Sequence, residues 1–208
     1  MSVVPCRPQA NPQRSSQGEA STMNRLQLSD TPLEGVRVVQ RQRIGDARGF
    51  LARLFCAHEL AAAGWTRPVA QLNHTLTQHR GTVRGLHFQQ APHAEMKLVS
   101  CVRGEVWDVA VDLRAGSPTF LSWHAERLSV DNGAALLIPP GFAHGFQALT
   151  DNVEMLYCHS HPHAPGAEGG VHPLETRLAI RWPLPVAGLS ARDATHAPIG
   201  EDFAGVHL

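Results

Sequence analysis

From Leu26 onward the chain is a series of short apolar runs separated by turn residues. Glu105 to Arg114, "EVWDVAVDLR", alternates residue by residue: Trp107, Val109, Val111 and Leu113 fall on one face, and Val106, Asp108, Ala110 and Asp112 on the other. A period of two is the signature of a strand. "FLSWHAERLSV" predicts a further strand, closed by the turn "DNG" at Asp131–Gly133. "AALLIPPGFAHGFQAL" predicts a strand, a Pro-Pro-Gly turn and a strand, and "VEMLYCHSH" one more. Two helix candidates exist, both short: Cys56 to Gly64, "CAHELAAAG", and a piece near "GLSARDA". Many short strands at regular spacing, with no βαβ alternation and no internal repeat, predict an all-β sandwich or barrel with a few short helices.

Composition narrows this picture. The first 24 residues are rich in Pro, Gln, Ser and Asn without periodicity, which predicts a disordered tail, and Met23 is an alternative start. Residues 25–208 are then one domain, large enough to bury a core. Eighteen basic and eighteen acidic residues cancel, which speaks against general binding to nucleic acid or a membrane surface. Cys6, Cys56, Cys101 and Cys158 are far apart, fitting neither a disulfide framework nor a zinc site. With no signal-peptide order at the N-terminus and no bilayer-length apolar run, the expectation is a cytoplasmic protein.

The candidate chemistry sits around "VRGLHFQ". On a strand, Leu86 and Phe88 point away from His87, which shares a face with Gly85 and Gln89. Taken singly, each polar residue has an ordinary structural reading. His87 reads as a hydrogen-bonded core histidine, Arg84 as a surface arginine, and Lys97 as a solvated lysine opening a strand. Tyr157, the single tyrosine, reads as half-buried and structural, and Asp193 as a helix cap. "IPPGFAHGF" has the Pro-Gly-x-x-His spacing of cupin barrels, in which the histidine often binds metal. His144 and His87 alone do not make up a ligand set, so a cupin without metal is expected. His159, His161 and His163 are spaced by two, but proline and polar neighbours predict a solvated edge. No phosphate-cradling glycine loop occurs, so any bound phosphate calls for arginine forks, with Arg48 and Arg84 as candidates.

"GDARGF", "VRGLHFQ", "KLVSCVRGEVWDVAVDLRAGSPTF", "IPPGFAHGF", "EMLY", "IRWPL" and "LSARDA" occur in that order between Leu33 and Ala194. Together they resemble the dTDP-4-dehydrorhamnose 3,5-epimerase family. The resemblance implies a cupin-type jelly roll acting as a homodimer on a nucleotide-linked 4-keto-6-deoxy sugar, without metal or organic cofactor. It implies His87 as the base and Asp193 as the carboxylate orienting it. Lys97 would stabilise the enolate and Tyr157 return the proton. Arg48 and Arg84 would grip the diphosphate, with Gln71, Asn73, His144 and Glu168 lining the substrate site. An N-terminal strand around Val36–Gln42 lent to the partner subunit fits such a dimer. Three positions depart from the family pattern: Pro162-His163 in place of an aromatic pair, Arg53 in place of an acid, and Pro173 in place of a tryptophan. They leave open the nucleotide base, and whether one or both of carbons 3 and 5 are inverted. A 3,4-ketoisomerase, a metal-dependent cupin using His144 and the 159–163 histidines, and a non-catalytic sugar-nucleotide-binding cupin are the other readings.

Overall fold

A computed structural model describes residues 24–208; the expected tail, save Asn24, lies outside them, as do Met23 and Cys6. Two antiparallel sheets face each other. The first runs β1 (Leu26–Asp30), β2 (Arg37–Arg41), β10 (Ala134–Ile138), β7 (Lys97–Arg103), β12 (Val153–His159), β5 (Gln71–Thr77). The second runs β13 (Glu168–Gly170), β6 (Val83–Gln89), β11 (Phe142–Ala148), β8 (Glu105–Asp112), β9 (Trp123–Ser129). A separate hairpin joins β3 (Arg43–Asp46) and β4 (Gly49–Ala52). The order, with sequence neighbours such as β10 and β11 in different sheets, is that of a jelly roll. Both expected helices form, as α1 (Ala57–Leu60) with a 3₁₀ turn over Ala61–Ala63, and α2 (Ala191–Ala194). Ser190 caps α2, its hydroxyl accepting from the Asp193 amide.

The alternation along β8 separates two cores rather than core from solvent. Val106 and Ala110 point between the sheets, against Val99, Leu136, Phe146 and Met155. Val109, Val111 and Leu113 point outward, yet remain buried under Val171, Leu178 and Val206 of the C-terminal segment. A third cluster packs Leu60 and Trp65 on the outer face of the first sheet, against Val39, Leu98 and Leu137. Truncating a fully buried aromatic such as Phe146 would cost about 3–5 kcal/mol.

In the single chain β2 is hydrogen-bonded between β1 and β10, with Val39 opposite Leu28 and Ala135. Its core-facing valine needs a covered sheet, and its own chain supplies one.

Two glycines position the site. Gly85 has φ +119°, which favours glycine, and a Cβ there would lie 2.5 Å from the Gly145 Cα. With neither side chain present, β6 and β11 approach closely and set His87 directly opposite His144.

Candidate active site

A pocket of about 320 Å³ opens between the sheets. β6 brings Arg84 and His87, β11 brings His144, and β13 brings Glu168. From the facing sheet, β5 brings Gln71, Asn73 and Thr75, β7 brings Lys97, and β12 brings Tyr157 and His159. Alternation selects these: Tyr157 and His159, or Gln71, Asn73 and Thr75, are two apart and share a face.

His87 Nε2 lies 2.8 Å from Asp193 Oδ1. The other carboxylate oxygen accepts from the Gly85 amide at 3.2 Å, so the backbone holds the carboxylate in place. Burial raises the Asp193 pKa, but hydrogen bonds from His87 and Gly85 outweigh it and hold the group below its ordinary value. Burial lowers the His87 pKa. The Asp193 bond and charge work the other way, the Arg192 and Lys97 cations add to the lowering, and the net direction is down. The pair therefore keeps a neutral imidazole with its proton on Nε2 and its lone pair on Nδ1. Arg192 Nη2 sits 2.8 Å from His87 Nε2, and Arg192 Nη1 pairs with both oxygens of Glu168 at 3.0 Å.

Lys97 is buried, contrary to the solvated reading of a lysine opening a strand. Its ammonium lies 3.1 Å from Glu95 Oε1 and 3.4 Å from the His87 carbonyl. A buried carboxylate makes that position tolerable for a charge. Burial pushes the Tyr157 pKa upward, so its phenol stays protonated well above neutral pH. His144 Nε2 meets both oxygens of the fully buried Asp108, at 3.0 and 2.9 Å. Gln71 donates to Asn73 Oδ1 at 3.0 Å and accepts from the His163 amide at 2.8 Å.

Of the residues singled out in the sequence, His87, Tyr157, Lys97, Arg84, Gln71, Asn73, His144 and Glu168 line this pocket, and Asp193 supports His87 from behind. Arg48 does not reach it within one chain. It sits in the β3–β4 turn, its side chain 90% exposed and paired with Asp46 at 2.5 Å. The 159–163 histidines do not form one solvated edge. His159 is turned into the pocket and bonded to Glu95 at 2.8 Å, His161 is half-buried, and His163 is exposed at the pocket's rim beside Glu168. Those three histidines and His144 do not converge either, because each has a different partner. Among the described residues, one trio brings potential metal ligands within 4.8 Å of one another: His87, Asp193 and His196. The Arg192 guanidinium beside His87 opposes a metal cation there.

Glu95 and Arg192 escaped the sequence reading, and His159 was read as part of a solvated edge or a metal ligand rather than beside Tyr157 in the pocket. His159 was two residues from Tyr157, and strand alternation alone would have put both on one face. Glu95 lies in the loop before β7, where strand alternation does not apply, and its histidine partner is 64 residues away. Two of the departures from the family pattern have local roles: Arg53 pairs with Glu59, and the Pro173 carbonyl accepts from Trp182 Nε1 at 2.9 Å.

The profile of a sequence family described as dTDP-4-dehydrorhamnose 3,5-epimerase matches residues 30–201. A protein of that name from Streptomyces griseus is 38% identical over 167 residues, covering 80% of this chain and 82% of the relative. A dTDP-4-dehydrorhamnose 3-epimerase from Streptomyces niveus is 39% identical, covering 81% of each chain. A crystal structure of dTDP-6-deoxy-D-glucose-3,5-epimerase from Legionella pneumophila, in complex with dTDP-4-keto-L-rhamnose, is similar with a TM-score of 0.78 and 38% identity. It covers 82% of this chain and 91% of that one.

Proposed function

The chain belongs to the dTDP-4-dehydrorhamnose 3,5-epimerase family, and from that premise we propose how its residues divide the work. It is an epimerase of a nucleotide-linked 4-keto-6-deoxy hexose, with dTDP-4-dehydro-6-deoxy-D-glucose as substrate and dTDP-4-dehydro-L-rhamnose as product. The ketone at carbon 4 acidifies the hydrogens at carbons 3 and 5. His87, held in one tautomer by Asp193, removes such a proton as general base. Lys97 faces the oxygen on which the negative charge develops, a contact that grows stronger as the enolate forms. Tyr157, protonated and on the opposite sheet, gives a proton to the other face. Arg84 holds the diphosphate with Arg48, which must then come from a second subunit. Gln71, Asn73, His144 and Glu168 position the sugar nucleotide.

The observation that carries this reading is one pocket with a histidine–carboxylate pair on one wall and a lysine and a tyrosine on the other. Inversion requires a base and an acid on opposite faces of the sugar ring, and the two sheets supply that arrangement.

The homodimer rests on a different observation. The β3–β4 hairpin exposes Ile44, Phe50 and Leu51, and the edge strand β5 exposes Leu72 and Leu76. Apolar groups concentrated on a hairpin and a sheet edge suit an interface between copies. A cytoplasmic setting agrees with three unpaired cysteines and with no helix, among the described residues, long and apolar enough to cross a membrane.

The test is incubation with dTDP-4-keto-6-deoxyglucose in deuterated water, followed by NMR. Deuterium entering at carbons 3 and 5 is the expected result. Label at carbon 3 alone would make the protein a mono-epimerase, like the Streptomyces niveus relative's named activity. Silence on this substrate and on its CDP and GDP analogues would overturn the reading.

A further inference from the structure

The wall opposite His87 carries a histidine–carboxylate pair of its own, His159 with Glu95. The rings of His159 and Tyr157 stack, centroids 6.1 Å apart and planes inclined by 21°. His159 Nδ1 lies 2.8 Å from Glu95 Oε2, and the other oxygen of Glu95 lies 3.1 Å from the Lys97 ammonium. All three side chains are at least seven-eighths buried. A carboxylate placed this deep costs several kcal/mol unless it is paired, and this one is paired twice. His159 Nε2 has a single long contact, 3.4 Å from Asn73 Nδ2, which a substrate group can replace.

The reaction gives this pair a task, and the inference rests on the epimerase reading above. Carbons 3 and 5 flank the ketone on either side. Two acids side by side on one wall, Tyr157 and His159, can each stand over a different one of these carbons. We propose that His159, held by Glu95, is a second proton donor on the Tyr157 side of the sugar and serves one of the two carbons. In that step the imidazolium Nε2–H bond breaks and a C–H bond forms at the enolate carbon, on the face opposite His87. The enolate C–O returns to C=O, and the neutral imidazole regains its proton from water. Glu95 lies between the two cations, Lys97 and protonated His159, and so lets both exist in one small space. Glu95 is the positioning residue; His159 makes the contact.

The experiment compares wild type, His159→Gln, Tyr157→Phe and the double variant on dTDP-4-keto-6-deoxyglucose in deuterated water. Proton loss and completed inversion are followed separately at carbons 3 and 5. His159→Gln is expected to cut inversion at one carbon by about tenfold to a hundredfold, and proton loss there far less. Tyr157→Phe is expected to spare that carbon and lose the other, and the double variant to lose both. His159→Phe, which keeps the stacked ring without its nitrogens, should match His159→Gln. If either His159 variant fails to fold, Glu95→Gln, close in shape, should show the same selectivity in weaker form. Inversion within about twofold of wild type at both carbons, or equal loss of inversion and proton removal, overturns the proposal. Wild-type exchange with unchanged His159 variants sinks this inference alone, whereas no wild-type exchange sinks the epimerase reading.

Discussion

At the floor of the pocket, charges lie close together and each one finds a partner in its own chain. Lys97 has Glu95, His159 has the same carboxylate, His87 has Asp193, and His144 has Asp108. The β3–β4 hairpin is built the other way. Phe50 and Leu51 are 59% and 68% exposed, and Arg48 stands out in solvent with only its neighbour Asp46. Burial explains the contrast. An unpaired charge in the pocket floor would cost several kcal/mol, so folding assembles the set completely. An exposed hairpin carries no such demand, and its apolar side chains gain only when another surface covers them. The floor is paired within one chain, while the hairpin leaves apolar surface uncovered.

The largest effect expected is on the floor. His87→Ala should lower exchange at both carbons by about a thousandfold or more, with dTDP affinity unchanged, since a positioned base contributes about 10²–10⁴. Deuterium incorporation and a dTDP titration check the two parts, and retained exchange would remove His87 from the role of base. Lys97→Met comes next. It should reduce kcat by about 10²–10³ with a smaller change in KM, because its charge meets the developing enolate rather than the ground-state ketone. A change confined to KM would make Lys97 a substrate anchor instead.

The hairpin should respond differently. Leu51→Asp is expected to leave the fold intact by circular dichroism and to shift sedimentation from dimer towards monomer. Arg48→Ala should raise KM about tenfold, some 1.4 kcal/mol, with kcat little changed. A monomeric wild type with full activity would dissolve the contrast between the two regions.

The smallest effect is a shift in pH dependence. Burial, helped by the Arg192 cation, holds the His87 pKa below the ordinary histidine value despite Asp193. The neutral imidazole is the active base, so kcat/KM is present above that pKa and lost as pH falls through it. The acid limb should lie below pH ~6.5. Arg192→Gln removes a nearby cation, eases protonation and should move that limb to higher pH, as a pH–rate profile would read. A limb moving lower would mean that Arg192 acts through Glu168 rather than directly on His87.

The local order of residues fixed a good deal here. Alternation along Glu105–Asp112, the Pro-Pro-Gly turn and the short "CAHELAAAG" run depend on neighbouring side chains, and each formed where expected. Motifs in order gave the family, and with it nine site residues that the fold does gather at one pocket. The same order could not show that both faces of β8 are buried, because the cover for its outer face arrives more than fifty residues later, with Val171, Leu178 and Val206. Nor could it show that β2 pairs within its own sheet, or that Arg48 stands away from the pocket. Glu95 and His159 make the same point at the level of chemistry. A lysine, a carboxylate and a histidine became one buried ion set because β7 and β12 lie side by side. Side-chain periodicity acts over two residues and is written along the chain. The pairing of charges acts through space, and so depends on which strands folding brings together.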